Sequence, residues 1–302
     1  MKKNGLWVYL LITFVLTWGI FYAMYALQSP ALNVVFLAAA MLMPALSSIL
    51  TRLLIGEGFT DMKLKFGFRG NAIVYVLAWL LPSLLIAAGA ALYFFLYRSH
   101  FDPSMSVMAQ TLDEALPQAL QGLLPVGLYA AVNLAAGVLL SPVLNIITCM
   151  GEELGWRGYL LPKLRMKMSN FWSVLISGVI WGVWHAPVIA MGHNYQTGYP
   201  GWPWLGIGAM ILFCVFLGAF FSWLSIRTDS AWPAAIAHGA VNGFASAAIL
   251  FVAPGIEPSP FVGPLPTGYI GGAFFVIAGV IFMIAVTRRP GLQPKEPPAP
   301  AE

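Results

Sequence analysis

The chain has 302 residues, of which 60% are hydrophobic and 9% charged; soluble domains carry roughly 25% charged residues, so the composition excludes an ordinary globular domain and demands a polytopic membrane protein. A net charge of +4 would suggest nucleic acid in a soluble chain, but in one this apolar it reflects lysines and arginines retained on one side of a bilayer. Cys149 and Cys214 each stand alone in an apolar run, which excludes a disulfide framework and a Cys-x-x-Cys metal or redox motif.

Lys2 and Lys3 precede an apolar run from Leu6 to Leu27 that is too long for a signal-peptide core and lacks a clear Ala-x-Ala site, so it reads as the first transmembrane helix. A second helix is expected from about Leu32 to Ile55 and a third from about Asn71 to Tyr97. In the connection from Arg98 to Gln121, Met105, Met108, Leu112 and Leu116 recur at helical spacing, which suggests an amphipathic helix along the interface. The fourth span is expected from about Gly122 to Met150 and the fifth from about Asn170 to Ala190. A loop without charge, Met191 to Pro203, leads to a sixth from about Trp204 to Ile226. The seventh runs from about Pro233 to Val252, and the eighth, after the Pro-rich loop Ala253 to Pro266, from about Thr267 to Val286. Residues 288–302, with Pro290, Pro294, Pro297, Pro298 and Pro300, form a low-complexity tail expected to be disordered and cytoplasmic.

The expected fold is therefore an all-α integral membrane protein, a bundle of about eight transmembrane helices in one polytopic domain, 1–287. With the N-terminus in the cytoplasm, this partition places Lys2, Lys3, Arg52, Lys63, Lys65, Arg69, Arg157, Lys163, Arg165, Lys167, Arg227, Arg288, Arg289 and Lys295 inside, and Arg98 alone outside. An error of one helix would scramble that asymmetry, so both termini are expected on the cytoplasmic side.

Few polar groups remain against this background, and they carry the chemistry. Glu152, Glu153 and Arg157 lie in Gly151-Glu152-Glu153-Leu154-Gly155-Trp156-Arg157, where ionisable groups in an apolar segment are functional-site candidates. On a helix Glu153 and Arg157 share a face, while Glu152 points about 100° away. Glu153 can thus be held ionised by Arg157, leaving Glu152 free to move protons. A helix-end ion pair at the membrane surface is the alternative reading of that stretch. His185 lies late in the fifth span, and His238 and Asn242 share a face of the seventh. Singly, each histidine has an interhelical hydrogen bond as its simpler explanation. Together, a free Glu, two His and an Asn from three spans could converge on an intramembrane polar cavity as base, metal ligands or proton carriers, and oxyanion donor. If the fifth helix starts at the inner face, His185 lies about 22 Å along it, deeper than Glu152 and His238 are expected to be. Either the charged stretch sits deeper than hydropathy suggests, where Gly151, Gly155 and Gly158 would permit a break, or the fifth helix begins below the membrane surface or tilts.

These residues resemble the CPBP intramembrane proteases, which include the type II CAAX prenyl endopeptidases and bacterial Abi proteins. Glu152, Glu153 and Arg157 match the family's Glu-Glu-x-x-x-Arg motif, Trp181 and His185 its aromatic-x-x-x-His motif, and His238 and Asn242 its His-x-x-x-Asn motif. The second motif usually begins with Phe, and the Trp181 ring is expected to pack beside the site. The resemblance covers roughly Leu140 to Phe244, within a core of about 122–252. It implies an intramembrane endopeptidase with a cavity opening toward the cytoplasm and a membrane-associated protein or peptide, prenylated or not, as substrate; nucleic acid is no partner. Glu152 would activate water with His185, Glu153 and Arg157 would orient Glu152, and Glu152, His185 and His238 are the candidate ligands should a divalent metal, zinc before others, be bound. No metal is the alternative. The other readings are a non-catalytic binding, immunity or scaffold protein of the same fold and, third, a transporter. The His-Glu-x-x-His signature of zinc proteases is absent from the sequence.

Overall fold

Within hydrocarbon every backbone N–H and C=O must be satisfied inside the chain, so apolar runs of this length have helix as their available state. The computed structural model describes residues 5–117 and 121–288, and among these the chain is helical, apart from loops and one isolated antiparallel bridge between Phe101 and Val252. The first three spans form as expected: α1 (Gly5–Leu27), α2 (Pro30–Ile55) and α3 (Ala72–Leu96). The connection that follows carries α4 (Ser106–Ala115). Asp102 anchors the start of α4 by accepting hydrogen bonds from the Ser106 amide at 2.8 Å and the Ser104 amide at 2.9 Å. Bonds from the Ser104 and Ser106 hydroxyls, with those amides, hold its carboxyl well below the usual carboxylate range.

The expected fourth span is not one helix. It comprises α5 (Val126–Leu139), α6 (Ser141–Leu144) and α7 (Ile146–Gly155), then a π-helical turn, Trp156–Leu160, and α8 (Leu161–Arg165). Pro142, in the first turn of α6, breaks the run: proline has no N–H to donate and its ring collides with the carbonyl four residues back. The Trp79 indole donates to the Val138 carbonyl at 2.9 Å, satisfying the group four residues back that Pro142 leaves without a donor. The break therefore comes before the carboxylates, not at Gly151 and Gly155, where the helix continues. Those glycines serve close approach instead. A Cβ on Gly151 would lie 2.7 Å from the Met41 carbonyl oxygen, and one on Gly155 would collide with Pro44, so α7 lies directly against the middle of α2. Gly158 lies within the π-helical turn, a local geometry found often at functional sites.

The fifth span is also jointed, into α9 (Asn170–Trp184) and α10 (Ala186–Ala190) with His185 between them. Next come α11 (Trp204–Thr228), α12 (Trp232–Phe244), which continues in a 3-10 turn Ala247–Phe251, and α13 (Ala273–Arg288). The eighth helix begins later than expected because the chain after Ala253 folds back on itself: the Tyr269 amide donates to the Phe261 carbonyl at 2.7 Å and the Ile270 amide to that of Val262 at 2.9 Å. Among the described residues five helical stretches, α1, α2, α3, α11 and Trp232–Phe251, are long and apolar enough to cross a membrane; α5, α9 and α13 are shorter apolar helices. They supply the eight apolar segments read from the sequence. The tail expected to be disordered lies, beyond Arg288, outside the described residues.

The helices have two distinct ends. At one, Lys63 pairs with Asp229 and Lys163 with Glu57, the Ala231 amide donates to the Lys63 carbonyl, and Asn170 donates to the Val286 carbonyl. This ties the 56–71 loop, α8, the α11–α12 turn and the end of α13 into one basic face. At the other, the Asp102 amide donates to the Phe251 carbonyl, the Ala253 amide to the His100 carbonyl, and the Tyr195 hydroxyl to the Thr267 carbonyl. The 98–105, 191–203 and 245–272 segments thus meet at the far end.

Candidate active site

Glu152 and Glu153 are 2% and 0% exposed, so they do not form a surface ion pair. Their depth follows from α2: Gly151 packs against Met41, which lies about 21 Å along the helix from Ile55 at 1.5 Å per residue. The charged stretch is therefore as deep as His185, which resolves the mismatch in depth that hydropathy implied.

The two carboxylates have different partners. Trp181 Nε1 donates to Glu152 Oε2 at 2.7 Å and Trp156 Nε1 donates to the same oxygen at 3.3 Å. Glu152 Oε1 accepts no hydrogen bond from the described residues, which leaves it as the oxygen free to take a proton. Glu153 Oε1 accepts from Arg157 at 3.1 Å and from His238 Nδ1 at 2.9 Å, and Arg157 lies 3.0 Å from Oε2. The Arg157 guanidinium is stacked 4.6 Å from the Trp181 ring centroid and 5.3 Å from that of Phe221. Apolar surroundings make an unpaired charge expensive, and this cation is held by one carboxylate and two aromatic faces.

Both imidazoles are oriented through Nδ1. A carbonyl can only accept, so the 2.9 Å contact of His185 Nδ1 with the Trp181 carbonyl places the proton on Nδ1 and leaves Nε2 as the acceptor of the neutral ring. His238 Nδ1–H donates to Glu153, again leaving Nε2 uncommitted. Trp181 lies between them, its ring centroid 5.9 Å from that of His185 and 5.5 Å from that of His238. Glu152, His185, His238 and Asn242 all line one cavity of about 360 Å³, with Trp181, Cys214 and Met41 among its walls. The Asn242 amide approaches Cys149 Sγ at 3.7 Å.

The structure thus gathers four of the six expected residues on the cavity and sets the other two behind it. Glu153 and Arg157 do not line it; they form a chain, Arg157 to Glu153 to His238, that orients the imidazole and not Glu152. The task expected of them falls to Trp156 and Trp181. The signal was present at Trp181, since tryptophan, unlike phenylalanine, carries an N–H donor. The cavity was expected to open toward the basic face, and it does not. His193, Asn194, Pro266 and Thr267 bring its walls to the far end.

Comparison with known families finds a match over the same stretch of chain. Residues 133–244 match the model of the Rce1-like family, the type II CAAX prenyl endopeptidases. That segment, which carries every cavity residue argued to be reactive, is what resembles the family. A CAAX prenyl protease 2 of Methanococcus maripaludis is 30% identical over 101 residues, 33% of this chain and 37% of the relative. The aligned part therefore spans little more than a third of that relative's length.

Proposed function

We propose that this chain is an intramembrane endopeptidase of the CAAX-processing type, hydrolysing a peptide bond in a membrane-associated protein or peptide. The observation that carries the reading is the single cavity on which the Glu152 carboxylate and both imidazoles meet around Trp181. The relative's name adds a prenylated CAAX peptide as the particular substrate to try first. The basic face, and with it the start of α1 and the end of α13, is taken as cytoplasmic, because that face holds most of the described lysines and arginines.

Glu152 Oε1 takes a proton from a water whose oxygen attacks the peptide carbonyl carbon. The new C–O bond forms as the carbonyl π pair moves to oxygen, and the Asn242 amide and His238 lie on the same cavity to donate to that oxyanion. Collapse breaks the C–N bond, and Glu152 returns the proton to the departing nitrogen, with His185 Nε2 available to relay it. His238 serves as an oxyanion donor when its Nε2 carries a proton, while its Nδ1–H stays on Glu153.

A catalytic zinc ion takes about three protein ligands gathered around one point. Among the described residues no three His, Cys, Asp or Glu side chains group as metal ligands do. As placed, these side chains do not gather as a zinc site does, and the proposed mechanism routes no step through a metal.

Purified chain in detergent or liposomes is expected to cleave a quenched reporter peptide, to retain that activity in a chelator, and to lose it in His238→Ala. Cleavage unaffected by His238→Ala would remove His238 from the reaction, and no cleavage by the wild type would overturn the protease in favour of a binding protein. Chelator-sensitive cleavage would overturn the metal-free mechanism.

Trp181→Phe tests the indole bond itself. A hydrogen bond to a charged group contributes about 1.5–3 kcal/mol, and each ~1.4 kcal/mol of lost transition-state stabilisation is tenfold in rate. The variant keeps a ring beneath Arg157 and is expected to lower kcat/KM about ten- to a hundredfold. An unchanged rate would reduce Trp181 to a packing residue.

A further inference from the structure

The cavity is closed toward the basic face. Between Glu152 and that face lie Trp156, Arg157 and Tyr159, which are 0%, 1% and 1% exposed, with Tyr9 packed on both aromatic rings. Toward the other end it is open: His193, Asn194 and Thr267, from the two long loops there, stand on its walls. A second hollow of about 660 Å³ shares Leu37, Val188 and His193 with it and runs between the α1–α2 turn and the 191–203 loop. The two spaces adjoin at those three residues, in line from the far end to Glu152.

The side of the membrane follows from charge. Lys63, Lys65, Arg69, Lys163, Lys167 and Arg227 all belong to connections at the closed end, and short basic connections stay in the cytoplasm. Arg98 is the single lysine or arginine described at the open end. The lining also limits what can enter. The outer hollow offers Gln28, Asn33 and Thr197 but no acidic side chain, lysine or arginine, and the inner cavity has Glu152 as its one carboxylate. Amides and hydroxyls without fixed charge complement a polypeptide backbone, whereas a charged side chain would be desolvated there without a partner.

We propose that this site is served from the extracytoplasmic face, through the groove between the α1–α2 turn and the 191–203 loop, and that it takes an uncharged polypeptide segment presented there. The substrate half of this proposal rests on the protease reading; the sidedness does not. It narrows the substrate class, since a CAAX protein held on the cytoplasmic leaflet would meet the closed end.

Two measurements separate these claims. Asn194→Cys and Lys167→Cys stand on exposed positions at opposite ends, while the native Cys149 and Cys214 are buried and wild type gives the background. In intact cells a membrane-impermeant maleimide is expected to label Asn194→Cys, and to label Lys167→Cys only after permeabilisation; the reverse pattern overturns the proposal. Right-side-out vesicles are then expected to cleave an uncharged reporter peptide added outside, and inside-out vesicles only once permeabilised. Cleavage by sealed inside-out vesicles alone overturns the proposed side and leaves the protease standing. The expected labelling with no cleavage in either vesicle or in detergent overturns the protease and the substrate, and leaves the sidedness standing.

Discussion

Glu152→Gln is expected to lower kcat/KM for reporter cleavage by about a hundred- to ten-thousandfold, the range that a positioned general base supplies. The substitution is chosen because it changes so little else. Glutamine keeps a carbonyl oxygen that can accept from Trp181 and Trp156, whose bonds to Oε2 are 2.7 and 3.3 Å, and it removes a buried charge instead of adding one. The thermal midpoint in detergent should therefore hold or rise while turnover falls, and KM should move less than kcat, because the lost interaction belongs to the transition state. A variant that still turns over within a few-fold of wild type would show that Glu152 is not the base. A variant that unfolds would show that the carboxylate is structural. Alanine would be a poorer test, since it strips both indoles of their acceptor and mixes the two effects.

Much of this site was legible in the letters, for a physical reason. In an apolar segment a polar side chain must find a partner or line water, so the few such residues on the middle spans could be enumerated and Glu152, His185, His238 and Asn242 expected to meet. Depth was not legible in the same way. Hydropathy sees the end of an apolar run and puts Glu152 near a helix end, whereas the helix in fact continues past the carboxylates, because Arg157 is stacked on Trp181 and Phe221 and no longer needs water. The joints were half visible: Pro142 and Pro187 mark them, yet the glycines of the charged stretch drew the expected break to the wrong place, since Gly151 and Gly155 exist to let α2 approach. The pairing of Glu153 with His238 was out of reach, because the partners are 85 residues apart and the bond depends on how α7 and α12 face each other. The direction of opening was missed for a related reason. Charge counting gives the side on which each loop lies but says nothing about which loops line the cavity.

The same Glu153 supplies the largest expected change in stability. Glu153→Leu leaves Arg157 with its guanidinium 1% exposed and no carboxylate, and an uncompensated buried charge of this kind costs about 3–5 kcal/mol. Stacking on Trp181 and Phe221 offsets only part of that loss, so the variant should melt well below wild type or fail to accumulate. Adding Arg157→Met should reverse most of the defect, because a buried pair replaced together by apolar side chains of similar volume is often neutral or stabilising. Activity should not return with stability. In the double variant His238 has lost the oxygen that held its Nδ1 at 2.9 Å, so the ring is free to turn and kcat should stay depressed while the melting curve recovers. Recovery of both would mean that Glu153 and Arg157 only neutralise each other; recovery of neither would mean that the apolar pair does not fit the space. The contrast between the two readouts assigns Glu153 to positioning, acting on the reaction through His238.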